Sequence, residues 1–153
     1  MPNTFSQIYI HVVFSVKYRT NLINKSWKDE LFKYITGIVK TKNQKLISIN
    51  GTRNHVHILL GIKPDARLSD LVRDIKANST GFINSKRFSA GKFEWQEGYG
   101  AFSCSQSQLP DVIKYIENQE EHHRVKTFRE EYVQFLEKYN IKFEEKYLPE
   151  FID

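Results

Sequence analysis

Hydrophobic positions alternate at period two near the start of the chain. Ile8, Ile10, Val12, Phe14 and Val16 share one face of a stretch rich in β-branched residues, with His11 on the other face, so residues 8 to 16 predict a strand. The period then lengthens: Trp27, Leu31, Tyr34, Ile35, Ile38 and Val39 recur at helical spacing. Ser26 is suited to cap this helix, which runs to about Lys42, with Asp29 and Glu30 in its first turn. Lys45 to Ile49 and Asn54 to Ile62 predict two antiparallel strands joined around Asn50-Gly51-Thr52-Arg53, because Asn-Gly favours hairpin turns. Pro64 and Asp65 close the second strand, and Leu68, Leu71, Val72, Ile75 and Phe82 predict a helix from about Ser69 to Ser85. Residues 86 to 98 show no clean period and predict a loop with short extended pieces, followed by a fourth strand from Tyr99 to Ser105. A third helix is predicted from Leu109 to His122, with Pro110 tolerated in its first turn. A last helix, from about Thr127 to Tyr139, carries the apolar stripe Phe128, Tyr132, Phe135, Leu136 and Tyr139, which should pack on the body or on a partner.

The order strand, helix, strand, strand, helix, strand matches the split β-α-β unit. The expected class is α+β with a ferredoxin-like core: an antiparallel sheet with helices on one face, plus the C-terminal helix. Residues 1 to 153 are expected to form a single domain, with a core over about 5 to 122 and the last helix and tail over 123 to 153. RNA-recognition domains share this order, so topology alone does not select a function.

Composition narrows the class of protein. With 40% hydrophobic and 14% aromatic residues among 153, the chain has enough apolar mass for a core of its own and is not a disordered segment. Cys104 is the sole cysteine, which excludes an internal disulfide or a cysteine-rich zinc site and fits a reducing cytoplasm. Neither a secretion signal nor a membrane-spanning apolar run is present. The net charge of +5 is unevenly distributed. Residues 1 to 119 hold 17 Lys and Arg against 9 Asp and Glu, or +8, and residues 120 to 153 hold 6 against 9, or −3. A basic body points to a polyanionic partner. Lys17, Arg19, Arg53, Arg73, Lys76, Lys86, Arg87 and Lys92 are candidates for an electrostatic groove for nucleic acid, with Trp95 or Tyr99 available to stack on bases. For Trp95, a place in the core or in an interface is the preferred reading.

Two motifs carry chemistry. On a strand, His55 and His57 project to the same face while Val56, Ile58 and Leu60 enter the core, so two imidazoles converge on one point, as divalent-metal ligands do. Tyr115 and Gln119 lie four residues apart on the predicted third helix and share its side. A tyrosine can attack a phosphodiester and conserve its bond energy in a covalent intermediate, and the absence of a phosphate-binding glycine loop fits such ATP-independent chemistry. With an ordinary pKa of about 10 the phenol is a weak nucleophile at neutral pH; a metal on the scissile phosphate would offset this. Each motif alone also admits a plain structural reading.

Together, Asn54-His55-Val56-His57-Ile58-Leu59-Leu60 and Tyr115-Ile116-Glu117-Asn118-Gln119 resemble the small one-tyrosine transposases of the His-hydrophobic-His class, the IS200-like family of single-strand insertion sequences. Val12-Val13-Phe14-Ser15-Val16-Lys17-Tyr18-Arg19 and Trp95-Gln96-Glu97-Gly98-Tyr99-Gly100-Ala101-Phe102-Ser103 resemble that family's first strand and the segment before its catalytic helix. The resemblance implies that Tyr115 is the nucleophile, that His55, His57 and Gln119 are metal ligands, and that the metal is Mg²⁺ or Mn²⁺. It also implies single-stranded DNA with hairpins at element ends as the partner, a 5′-phosphotyrosine intermediate, and a homodimer whose active sites can be shared between subunits. Two alternatives remain open: a non-catalytic nucleic-acid-binding module, and a domesticated relative that processes repetitive genomic hairpins.

Outside these motifs, His11 reads as structural, although it lies on the strand face that can approach the histidines. His122 and His123 diverge by about 100° on a helix and are expected to be exposed or to make structural hydrogen bonds. Cys104 is expected to be a small strand residue.

Overall fold

The computed structural model describes residues 4–18 and 21–151. Four strands, β1 (Tyr9–Ser15), β2 (Lys45–Gly51), β3 (His55–Gly61) and β4 (Gly100–Cys104), form one sheet in the order β2-β3-β1-β4. Every pairing is antiparallel. Helices α1 (Lys25–Thr41) and α2 (Leu68–Lys86) connect the strands as the split β-α-β unit requires. After β4 come α3 (Leu109–Glu117), α4 (Gln119–Val125) and α5 (Phe128–Lys138). The expected α+β, ferredoxin-like architecture is present.

Alternation divides the sheet into two faces. Val12, Phe14, Val16, Val56, Ile58 and Leu60 pack against Leu31, Ile35 and Val39 of α1 and Leu71, Val72, Ile75 and Ile83 of α2. Burying each of these large apolar side chains contributes roughly 1.5–3 kcal/mol, and this cluster anchors the central strands to both helices. On the other face Val13 and Phe102 meet Phe128, Tyr132 and Leu136 of α5. The C-terminal stripe therefore packs on the body, over the face that carries the histidines. With helices above and below, His55 through Leu60 are all buried.

Local details depart from the sequence reading in two places. Asn24, not Ser26, caps α1: its side chain accepts the Ser26 N–H at 2.9 Å. The hairpin turn falls at Thr52-Arg53-Asn54, with the Thr52 N–H donating to the His55 carbonyl at 3.1 Å. Asn50 and Gly51 are the last residues of β2. The loop after α2 contains a short extended piece, as expected, and is fixed by specific bonds. Trp95 bridges to Val16 and donates its indole N–H to Ser79 Oγ at 2.9 Å, and Asn84 pairs with the Phe93 backbone. The preferred core reading of Trp95 agrees with its 7% exposure.

Candidate active site

The predicted third helix is two helices. Asn118 leaves helical geometry (φ −99°, ψ 27°) between α3 and α4, so Gln119 opens a new helix. The end of α3 is held from β2: the Asn50 side-chain amide donates to the carbonyls of Ile116 and Glu117, both at 3.0 Å. These are terminal carbonyls that a helix cannot satisfy internally. Asn50 pairs across the sheet with His57, so one side chain fixes the tyrosine helix relative to the histidine strand. Replacing Asn50 with Ala is expected to lower stability by about 1–2 kcal/mol in denaturant unfolding and to slow any reaction that needs Tyr115 and His57 in register.

The break does not separate the predicted residues. His55, His57 and Gln119 are each 0% exposed. His55 Nε2 lies 3.3 Å from Gln119 Oε1, and the Gln119 amide donates to the Tyr115 carbonyl at 3.3 Å. All four side chains meet within one chain.

A fifth group, missed in the sequence, sits among them. Glu131 of α5 places Oε1 3.0 Å from His57 Nε2 and 3.3 Å from His55 Nε2, and its Oε2 accepts a short hydrogen bond from the Tyr115 hydroxyl. His55, His57 and Glu131 form a buried group whose ligand atoms all lie within 4.8 Å of one another, a set able to hold a metal ion. Glu131 falls within the apolar stripe of its helix, between Phe128 and Leu136, where one carboxylate reads as solvated. The available signal was its helical alignment with Phe128 and Phe135, which put it on the buried side.

Three further histidines contribute. His11 Nε2 lies 2.8 Å from His57 Nδ1 and so orients that ring. His122 and His123 do diverge, but both face the cluster. The His122 ring stacks on Tyr115 with centroids 4.4 Å apart, and His123 Nε2 comes within 3.4 Å of Glu131 Oε1. Both are half-buried rather than exposed, which leaves the structural contacts that were the other arm of the expectation.

Burial governs the protonation states. It lowers His55 to about 4 against the opposing pull of Glu131, and lowers His11 to about 3 with help from the charge of His57. Burial would raise Glu131, but the close approach of the His123, His55 and His57 rings to its oxygens outweighs it and holds the carboxyl well below its usual range. Tyr115 is pushed far up, first by burial and then by the charge and hydrogen bond of Glu131. The resting phenol is protonated.

The donor set fits a cation. His55 Nδ1 is 2.6 Å from Asn54 Oδ1, an acceptor that also receives the Thr52 hydroxyl at 2.9 Å. Nδ1 therefore carries the proton, and neutral His55 turns a bare Nε2 lone pair toward two oxygens, Gln119 Oε1 and Glu131 Oε1. Three lone pairs facing one point repel one another unless a positive charge sits between them.

A cavity of about 380 Å³ opens beside Tyr115, lined in part by His11, His122, Phe135, Lys126 and Lys138. Of the candidate groove residues, exposed Arg53 lies near this rim, sharing a shallow pocket with His123 and Lys126. The others lie elsewhere. Lys17 pairs with Glu94 at 3.6 Å, and Arg73 pairs with Asp70 and Asp74. The Lys76 ammonium donates to the carbonyls of Gln96 and Gly98 at 2.6 and 2.8 Å. Lys86, Arg87 and Lys92 are exposed at the end of α2 and beyond it. The sheet thus stands between α2 and the histidines. Arg19 lies outside the described residues. No described helix is long and apolar enough to cross a membrane.

Comparison with known proteins gives the family. The chain is 25% identical over 118 residues, 74% of its length, to the ISDra2 transposase TnpA of Deinococcus radiodurans, covering 84% of that protein. Its fold superposes on a crystal structure of a candidate transposase from D. radiodurans R1 with a TM-score of 0.61 at 23% identity, covering 76% of this chain and 94% of that one. It also superposes on a REP-associated tyrosine transposase bound to a REP hairpin, with a TM-score of 0.60 at 13% identity, covering 99% and 92% of the two chains. The sequence profile described as Transposase IS200 like matches residues 4–119. That span holds both histidines, Tyr115 and Gln119, and this chain belongs to the IS200-like transposase family.

Proposed function

We propose that this transposase cuts and rejoins single-stranded DNA through a covalent link to Tyr115, with Mg²⁺ or Mn²⁺ held by His55, His57 and Gln119. The observation that supports this best is convergence: the Tyr115 hydroxyl and both imidazole Nε2 atoms meet at one carboxylate, beside a cavity open to substrate. The phenolic oxygen would bond to phosphorus as the P–O3′ bond breaks. The phenol loses a proton and the leaving 3′ oxygen gains one, so the step needs neither ATP nor an oxidant. A later 3′-hydroxyl would reverse the exchange and release Tyr115. When bound, the metal supplies Lewis-acid stabilisation of charge on the phosphoryl oxygens.

The chain's own groups do the rest. Asn50 sets the tyrosine helix, His11 orients His57, and Asn54 selects the His55 tautomer. Lys126 and Lys138 flank the cavity with positive charge for a DNA backbone. Hairpins at element ends are the proposed substrate, in keeping with the hairpin held by the REP-associated neighbour. A homodimer belongs to the same reading, with each protomer carrying a complete site.

The test mixes the protein with labelled hairpin-bearing single-stranded DNA and Mg²⁺ or Mn²⁺, then denatures it. A covalent adduct is expected for the native protein and none for Tyr115→Phe; cleavage that persists in that variant would exclude Tyr115 as nucleophile. Binding without any adduct would favour a non-catalytic module. Because the groups meet within one chain, a mixture of Tyr115→Phe and His57→Ala is expected to form no adduct. Recovery in the mixture would show sites shared between subunits.

A further inference from the structure

Glu131 lies outside residues 4–119, the span matched by the family profile, and outside the ligand set proposed above. Its side chain is nonetheless held at the centre of the site. The side chain is 4% exposed, with Oε1 directed at His55 and His57 and Oε2 at the Tyr115 hydroxyl. A buried carboxylate with both oxygens committed to functional groups does more than pack.

Charge decides its role. Two neutral imidazoles and one amide oxygen carry no negative charge, so a divalent ion held by them alone would be an uncompensated buried double charge. Imidazole pairs suit Zn²⁺, Ni²⁺ and Cu²⁺, whereas Mg²⁺ and Mn²⁺ call for carboxylate oxygens. Among the described residues, Glu131 is the only carboxylate in the cluster. The buried Nε2 of His123, which makes no hydrogen bond, also faces this carboxylate at 3.4 Å, so an additional nitrogen is directed at the same point.

We infer that Glu131 is the anionic ligand of the metal and, through its second oxygen, the residue that positions the nucleophile. Oε1 completes the coordination set from α5. Oε2 receives the Tyr115 O–H, so a single carboxylate fixes the distance between metal and attacking oxygen. The C-terminal helix thereby becomes part of the site, and the preference for hard cations follows from it. The inference rests on the metal-and-tyrosine reading and deepens it.

Titrations of Mn²⁺ and of Ni²⁺ into the 153-residue chain, native and in the variants Glu131→Gln, His57→Ala and Tyr115→Phe, test it. Glu131→Gln is nearly isosteric and is expected to weaken Mn²⁺ binding about tenfold or more, while Ni²⁺, held by the imidazoles, weakens far less. His57→Ala is expected to lose both metals, and Tyr115→Phe neither. At saturating metal, Glu131→Gln is expected to slow adduct formation on the order of a hundredfold with DNA affinity unchanged, which a purely structural defect would not do. If Glu131→Gln binds Mn²⁺ like the native protein while His57→Ala does not, Glu131 is not a ligand and the metal reading survives. If the native protein binds no Mn²⁺, both fall. A measurement without variants completes the test: native protein labelled with ¹³C at its glutamate carboxyls is expected to show hyperfine coupling to bound Mn²⁺, and its absence overturns the inference.

Discussion

Replacing His57 with alanine is expected to lower adduct formation about a thousandfold or more, at Mg²⁺ or Mn²⁺ concentrations that saturate the native protein. Metal stabilisation of charge on a transferring phosphoryl group is worth several kcal/mol, and each 1.36 kcal/mol is a factor of ten. Alanine removes the Nε2 that stands 3.0 Å from Glu131 Oε1 and the Nδ1 that stands 2.8 Å from His11. The first loss makes a further prediction. In metal-free protein Glu131 keeps its buried charge with one hydrogen-bond partner fewer, and losing such a bond to a charged group destabilises by about 1.5–3 kcal/mol. Denaturant unfolding in a chelator should show that loss directly. Adduct formation by His57→Ala at the native rate, unaffected by chelation, would remove the metal from the reaction.

The arrangement behind this expectation was only partly legible in the sequence. The two histidines could be read because strand alternation is local: whatever the partner strands, His55 and His57 share a face. The fold could be read for the same reason, with periods of two and 3.6 marking the strands and helices to within a few residues. Glu131 could not. Its role depends on α5 returning across the histidine face, 74 residues along the chain from His57, and no local period encodes that return. The break at Asn118 was hidden because Tyr115 and Gln119 fit one helix as well as two; the Asn50 amide, reaching from β2, caps the first. The Asn50-Gly51 dipeptide was seen but its purpose was misread. It suggested the turn itself, whereas Asn50 holds α3 and Gly51 makes room for a carbonyl.

That last requirement sets the other large effect. Gly51→Ala is expected to destabilise the protein by about 2–3 kcal/mol or more and to lower its melting temperature by roughly 5–10 °C. A Cβ at Gly51 would lie 2.2 Å from the His55 carbonyl oxygen and 3.0 Å from Val56 Cα. Neither atom belongs to a side chain that can swing away, so the backbone itself must shift. The displaced carbonyl is the one that accepts the Thr52 N–H at 3.1 Å and closes the turn. The residue carrying it supplies one of the two imidazoles, so Mn²⁺ affinity should fall together with stability. Gly37→Ala on α1 and Gly81→Ala on α2 provide the contrast, since an added Cβ there meets nothing within 4 Å. In a helix the same change should stabilise by roughly 0.5–1 kcal/mol and leave metal binding unaltered. Thermal melts and Mn²⁺ titrations of the three variants separate the effect of close approach from that of glycine as such. A Gly51→Ala protein with native melting and native Mn²⁺ affinity would show that the turn yields freely, and that His55 does not depend on it for its place beside Gln119 and Glu131.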